Sequence, residues 1–345
     1  MSEIRGKKVF VGLSGGVDSA VTAALLQEAG AEVYGVFIKG WYPDGLPCTW
    51  AADRRDAMRV AAFLRIPFHT LDASTEYKKF VIDYLLSEYG KGRTPNPDIM
   101  CNREVKFGVF YEFAKRHGAD FIATGHYAQN VGGSLEKGVD PGKDQSYFLW
   151  AVPKQALEVT LFPLGKLQKN EVRKVAERMN LPNATKRDSQ GICFLGNVSM
   201  EDFLRDEFKP SVGNACDESG TLVGTHDGAL LHTLGERVTL TDAPPGPWYV
   251  KHKNLENNTL VVTKEQKSEA STSTFRLTQP NLFSEPKENE IVTAQYRYHG
   301  PFIEGIYDAS TQTFTPREPV TEPVAAGQSL VLYKDSVVYG GGIIA

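Results

Sequence analysis

Hydrophobic and polar positions divide the chain into two regimes. Up to about residue 124, short apolar runs alternate with stretches of helical period. From residue 213 onward, short alternating apolar segments follow one another, separated by Gly, Pro and Asn. In the first regime, residues 8–13 and 31–38 are apolar, β-branched runs of the kind that form strands buried on both faces. Between them residues 20–29 carry a helical period closed by Gly30. The pattern predicts a second helix over 53–64, a short strand over 67–71 and an amphipathic helix over 75–89, with Tyr77, Phe80, Val81, Tyr84 and Leu85 at helical spacing. A further helix over 105–116 and a strand over 121–124 follow. This alternation predicts an α/β fold, a parallel sheet with helices on both faces and ligands at the carboxyl ends of its strands. In the second regime a helix over 200–208 precedes β-rich structure, and the polar stretch 263–274 reads as a linker. The expected domains are 1–196, a small central β-rich domain over 197–268, and a C-terminal β-barrel-like domain over 269–345.

Composition adds limits. At 345 residues, 41% hydrophobic and 23% charged, the chain is a soluble globular protein of two or three domains. No apolar run approaches the ~18 residues of a membrane span. The first residues lack the apolar core of a signal peptide, so a cytoplasmic location and no membrane partner are expected. The net charge of −4 gives no sign of a nucleic-acid binder, yet residues 143–187 hold nine Lys and Arg against four acids. Such a patch suits a polyanion, or equally a solvated helix face. The four cysteines, Cys48, Cys101, Cys193 and Cys216, form no Cys-x-x-Cys pair, which argues against zinc or iron–sulfur chemistry.

Candidate chemistry starts where the first strand ends, in Gly12-Leu13-Ser14-Gly15-Gly16-Val17-Asp18-Ser19. Two glycines between a strand and a helix bring backbone N–H groups and a helix dipole to an anion. There is no Walker lysine and no Gly-x-Gly-x-x-Gly spacing. A carboxylate beside phosphates needs a cation between them, so Asp18 suggests a magnesium-bound nucleotide. The run Ser-Gly-Gly-x-Asp-Ser resembles the pyrophosphate loop of ATP pyrophosphatases, which cleave ATP to AMP and pyrophosphate. A second segment, Thr94-Pro-Asn96-Pro97-Asp98-Ile-Met-Cys101, places two prolines around Asn96 ahead of a helix. The reading puts Cys101 at the start of that helix near Arg103 and Lys106, surroundings that favour a thiolate, with Asp98 as proton acceptor or donor. Cys193 falls in the loop Asp188-Ser-Gln-Gly-Ile-Cys193-Phe, and Lys143-Asp144-Gln145 in a polar loop able to meet phosphates or base edges.

Taken together with Cys48-Thr-Trp, Ala123-Thr-Gly125-His126-Tyr127 and Lys143-Asp-Gln-Ser-Tyr-Phe-Leu149, these segments closely resemble the bacterial tRNA-specific 2-thiouridylase family, in the family's order. The resemblance implies sulfur transfer to C2 of the wobble uridine in tRNAs for Glu, Gln and Lys, with ATP and Mg2+ and a persulfide from a sulfur-relay donor protein. It implies ATP contacts at Gly12–Ser19, Ile38 and Gly125, and target-base contacts at Asn96, Pro97 and Asp98. Cys101 would be the nucleophile and Cys193 the persulfide carrier. Contacts with tRNA would come from His126, Lys143, Asp144, Gln145, Arg297, Tyr298 and Gln328. Where the family has a run of the form Gly-Gln-Arg-Lys-Gly-Leu-Gly, this chain reads Gly235-Glu236-Arg237-Val238-Thr239-Leu240, shorter and less basic. The alternatives are another AMP-forming ligase or amidotransferase acting on a small molecule, and a non-catalytic ATP-dependent RNA-binding protein.

Overall fold

The structure is a computed structural model that describes residues 4–43, 50–187, 198–265 and 272–345. Cys48, Cys193 and half of the expected 263–274 linker therefore lie outside the described residues, as does the expected boundary at 196.

The N-terminal part is built on five parallel strands in the order β3 (Phe68–Asp72), β2 (Glu32–Lys39), β1 (Lys8–Gly12), β4 (Phe121–Ala123) and β7 (Thr160–Leu161). The alternation along β1 sets the two layers. Val9 and Val11 enter a core with helix α1 (Val17–Glu28), helix α2 (Trp50–Leu64) and the helix Lys169–Arg178. Phe10 points the other way, into a core with the helical runs 74–90 and 97–116. Strand order reverses between β1 and β4, and such a switch point is where open α/β sheets leave a crevice for ligands.

Several boundaries differ from the pattern reading for local reasons. Helix α1 starts at Val17 rather than residue 20, because the glycine loop itself feeds its first turn. The run 97–116 begins eight residues ahead of the expected 105, since Asn96 caps it. It is wound as a π-helix over Cys101–Val109, and the run 74–90 likewise over Lys78–Ile82. Such windings are rare and concentrate at functional sites.

The central domain pairs β10 (Arg237–Val238), β11 (Trp248–Asn254), β12 (Thr259–Thr263), β8 (Gly213–Cys216) and β9 (Leu222–His226) in that order. The C-terminal domain is a closed antiparallel barrel of six strands. They run β13 (Phe275–Leu282), β16 (Thr313–Pro316), β15 (Phe302–Asp308), β14 (Ile291–Gln295), β17 (Ser329–Lys334) and β18 (Val337–Ile344), and β18 returns to β13.

A hairpin of the first domain, β5 (Ala128–Val131) and β6 (Ser134–Lys137), leaves the parallel sheet and joins the barrel. The strand β18 serves both. Val337 pairs with Glu136 of β6, whereas Gly340–Ile344 pair with β13. Trp150, fully buried, lies against Gly341, where a Cβ would stand 3.1 Å from its indole. Asn281 donates to the carbonyls of Trp150 (2.7 Å) and Val152 (3.1 Å), and the Tyr147 hydroxyl donates to that of Ser329 (2.9 Å). One core thus runs from Phe10 of the sheet through Tyr147 and Trp150 to Val331, Tyr333 and Ile343 of the barrel. No helix among the described residues is long and apolar enough to cross a membrane.

A chain ended at residue 265 would expose Trp150 and the edge of β6 to water. It is expected to aggregate or bind a hydrophobic dye, read by size-exclusion chromatography and ANS fluorescence, and a soluble, cooperatively melting product would contradict this account.

Candidate active site

Between Gly12 and Val17 the chain turns sharply, and glycine is required at two contacts. Gly15 has φ of +81°, and a Cβ there would lie 2.5 Å from the carbonyl oxygen of Asp53 in α2. A Cβ on Gly125 would stand 3.1 Å from the backbone of Asp18 and Ser19. The loop is therefore pressed by α2 on one side and by the turn after β4 on the other. Within it, the Ser19 hydroxyl donates to the Gly16 carbonyl (3.0 Å) and accepts from the Ser14 N–H (3.2 Å), and Ser14 Oγ accepts from the Gly16 N–H (3.3 Å). Leu13 donates to the carbonyl of Val36 (2.7 Å), which ties the loop to β2 two residues before Ile38. No side chain caps α1, so its first N–H groups face the crevice as an anion site.

Asp18 holds a cation. The Lys169 ammonium lies 2.7 and 2.8 Å from its two oxygens, and the Tyr127 hydroxyl donates to Oδ1 at 2.9 Å. Lys169 opens the helix Lys169–Arg178, and its own N–H donates to Asp140 Oδ2 (2.9 Å). Tyr127 is fixed in turn by Gln145, whose N–H donates to the Tyr127 carbonyl (2.8 Å) and whose Oε1 accepts the Tyr127 N–H (3.1 Å).

On the other flank, buried Asn183 donates to the Gly15 carbonyl (3.0 Å), while Lys186 bridges Asp53 (3.1 Å) and Asp56 (2.8 Å) of α2. Arg173 holds the carbonyls of Ala184 (2.9 Å) and Lys186 (2.6 Å). The chain thus braces the phosphate loop immediately before the segment that carries Cys193. Tyr127, Lys169, Asn183 and Lys186 carried no site role in the sequence reading; its signal for two of them was the basic stretch 143–187.

The second segment is held by three domains. Asn96 Oδ1 accepts the N–H groups of Asp98 (3.1 Å) and Ile99 (3.3 Å), and Pro97 occupies the first helical position. The helix therefore starts at Pro97, and Cys101 lies a full turn inside it, 5% exposed, not at the helix start as expected. The first-turn position belongs to Asp98, whose carboxyl is raised above its ordinary value of 3.8 by burial, with Lys106 opposing. Upstream, the Thr94 N–H donates to the carbonyl of Ala326 (2.8 Å), Gln328 donates to that of Thr94 (3.2 Å) and Arg93 to that of Ile344 (2.9 Å). The Thr94 and Thr233 hydroxyls meet at 3.3 Å. Glu236, from the stretch that departs from the family's basic run, accepts the Thr233 N–H (2.9 Å).

Four residues expected to meet RNA make hydrogen bonds within the protein. His126 is buried between Phe107 and Phe162, bonded to Thr124 (2.7 Å), and kept neutral because burial lowers its pKa well below 6.5. Asp144 accepts from Gly138 (2.9 Å) and from both the N–H (3.1 Å) and hydroxyl (3.0 Å) of Ser146. Gln145 and Gln328 act as described above. Lys143, Arg297 and Tyr298 remain at or near the surface. Tyr298 packs on Phe148 (4.4 Å) and His299 (3.9 Å), beside a cavity of about 390 Å³ at the seam of the first domain and the barrel. Lys137, Asp144, Tyr147, His299 and Phe302 also line it.

Among the described residues, His226, Asp227 and His232 form the group whose donor atoms lie close enough to share a metal. Hydrogen bonding argues against that use. His226 Nδ1 accepts the Gly228 N–H (3.0 Å), so its proton sits on Nε2, and Asp227 is already paired with Arg205 and with His232 (3.0 Å).

A glycine loop feeding an uncapped helix at the switch point of a parallel sheet, with an acid beside it, defines a protein of the pyrophosphate-loop class. Three family models match in succession: a tRNA methyl transferase HUP domain over residues 7–197, a tRNA methyl transferase PRC-barrel domain over 201–264 and an aminomethyltransferase β-barrel domain over 272–344. Proteins called tRNA-specific 2-thiouridylase MnmA from Pseudomonas fluorescens (strain SBW25) and Serratia proteamaculans (strain 568) are 41% and 42% identical. Those matches cover 99% and 100% of this chain, and 96% and 98% of the relatives. The chain belongs to the tRNA-specific 2-thiouridylase family. A solved 4-thiouridine synthetase–RNA complex with bound ATP overlaps 58% of this chain and 50% of its own at 20% identity and a TM-score of 0.38, a likeness too slight to carry an argument.

Gly15→Ala is expected to cost more than about 1 kcal/mol in a thermal or denaturant melt and to weaken nucleotide binding in calorimetry. For Asp98, raised by burial, the rate of thiolation is expected to carry an ionisation above pH 3.8, which Asp98→Asn removes from the pH–rate profile.

Proposed function

We propose that this member of the family uses ATP to adenylate the C2 oxygen of the wobble uridine in tRNAs for Glu, Gln and Lys, and then replaces that oxygen with sulfur. The observation that carries the reading is a half-buried acid, Asp98, three residues before a buried thiol, Cys101, on a helical run whose Cys101, Phe107 and Phe110 pack in one core with Phe10 of β1. The phosphate loop sits at the end of that same strand.

The C2 oxygen is a poor leaving group, and adenylation converts it to departing AMP. The N–H groups of Gly15, Gly16 and the first turn of α1 hold the pyrophosphate, with Ser14 and Ser19 as hydroxyl donors. Gly12, Leu13, Val17, Ile38 and Gly125 shape the nucleotide crevice by close packing. A carboxylate that already holds an ammonium suits a cation, so Asp18 would hold Mg2+, which when bound neutralises phosphate charge. Asn96, Pro97 and Asp98 receive the base once it has left its stack. Asp98, protonated to higher pH than an exposed acid, handles the proton at the activated base.

Cys193 carries the persulfide supplied by a sulfur-relay donor protein. Its terminal sulfur attacks C2 and displaces AMP, after which Cys101 attacks the Cys193 sulfur and frees the thiolated base. In the other order, Cys101 attacks first and releases hydrosulfide, which then displaces AMP. Either order ends in a Cys101–Cys193 disulfide that a thiol reductant reopens.

RNA would run over the basic stretch 143–187 and the seam cavity, with Lys143, Arg297 and Tyr298 as contacts. His126, Asp144, Gln145 and Gln328 would serve it by holding the loops in place. A cytoplasmic enzyme of three domains, 1–196, 197–268 and 269–345, fits this reading.

The test is incubation with unmodified tRNA, ATP, Mg2+ and a persulfide donor, followed by nucleoside mass analysis. The expected products are AMP and 2-thiouridine. Cys101→Ser and Cys193→Ser are each expected to abolish thiolation while ATP binding survives. Absence of both products with the unaltered chain would reject the reading, and full sulfur transfer by either variant would reject the two-cysteine mechanism.

A further inference from the structure

We propose that Lys169 is a pyrophosphate-gripping residue that exchanges partners: it holds Asp18 when no nucleotide is present and turns to the β- and γ-phosphates of ATP when the loop is filled. The proposal rests on the reading of 14–19 as a phosphate loop, and it names a residue that lies outside every segment carrying the family resemblance.

The geometry supports it in three ways. First, the Lys169 ammonium stands beside the anion site. It spans both oxygens of Asp18, and Asp18 lies in the first turn of α1, whose uncapped N–H groups make the anion site. Second, Lys169 does not depend on Asp18 for its place. Its backbone N–H is held by Asp140, it opens a helix braced by the Glu171 carboxylate on the Gln168 N–H (2.7 Å), and its ammonium rides over the ring of Tyr127 at 5.7 Å. The backbone is fixed, and the four-carbon stem carries several rotatable bonds through which the ammonium can change partners. Third, the neighbouring cation Lys186 is committed to Asp53 and Asp56, which fasten α2 to the loop.

A polyanion entering the loop meets the Asp18 carboxylate at close range. Moving the ammonium onto the phosphates adds an attraction and leaves Asp18 able to hold a second cation. The same ammonium then faces the charge that grows as pyrophosphate departs, so it contributes to the adenylation step as well as to binding. The Tyr127 hydroxyl, donating to Asp18, keeps the carboxylate oriented during the exchange.

Binding to inorganic pyrophosphate and to AMP, measured by calorimetry without tRNA, separates this from a merely structural role. Lys169→Met is expected to weaken pyrophosphate binding about ten- to hundred-fold, the size of one hydrogen bond to a charged group, and to leave AMP binding within about twofold. Lys169→Arg is expected to recover most of the loss. In the double variant Lys169→Met with Asp18→Asn the loss should persist, because the grip itself is missing. Unchanged pyrophosphate binding in Lys169→Met, or full recovery in the double variant, would overturn the proposal. Should Lys169→Met fail to melt cooperatively, Lys169→Gln, which keeps a hydrogen-bonding end for Asp18, takes its place with the same expectations. Failure of the thiolation reading looks different: the unaltered chain would bind pyrophosphate and AMP yet form no 2-thiouridine.

Discussion

The active end of this protein depends on one steric constraint, the near contact between the backbone of the 14–19 loop and the backbone of its neighbours. An L-residue at 15 would collide with the Asp53 carbonyl, and one at 125 would press on Asp18. With both side chains absent, α2 and the turn after β4 close on the loop like the jaws of a vice. Asn183 and Lys186 then tighten it from the far side. A loop held this way offers its N–H groups without having to be ordered by the ligand, which is the electrostatic preorganisation that anion binding and leaving-group departure require.

The second constraint is on the segment before Cys101. The Thr94 backbone is anchored by the barrel, through Ala326 and Gln328, while the Arg93 side chain reaches the Ile344 carbonyl and the Thr94 hydroxyl meets that of Thr233 in the central domain. A three-domain arrangement therefore has a chemical use. The domains that offer surface for a large substrate also set the position of Asp98 and Cys101, so a rotation of either domain would be felt at the reacting groups. The π-winding from Cys101 to Val109 sits directly after this anchor, where a register change in the helix re-aims its side chains.

The sheet was readable because Val9, Phe10 and Val11 form an apolar run that only a doubly covered strand accommodates, and the loop because its glycines, hydroxyls and acid are contiguous. The start of the helix at Pro97 was less visible, since proline-rich segments announce loops more strongly than caps, and Asn96 reveals its role only once its Oδ1 is seen on two N–H groups. Lys169, Asn183 and Tyr127 reach the site from more than a hundred residues away, and no local pattern encodes such a meeting. His126, Gln145 and Gln328 teach the converse lesson. A polar side chain in a recognisable motif can bond within the protein, to a neighbour's backbone as Gln145 and Gln328 do or to a side chain as His126 does to Thr124, and sequence alone does not show that bond.

The shared edge of β18 has a consequence for how the molecule is made. Ser336 bonds Glu136 across 200 residues of chain, and the hairpin at 128–137 and Trp150 find their cover only when that late strand arrives. Closing so long a loop is entropically costly, and such non-local pairing slows folding. During synthesis the first domain must wait with an open sheet edge and a bare indole, a state that invites chaperone capture and intermolecular pairing. Nucleotide, which binds only the finished loop, would draw this waiting ensemble toward the native state by mass action.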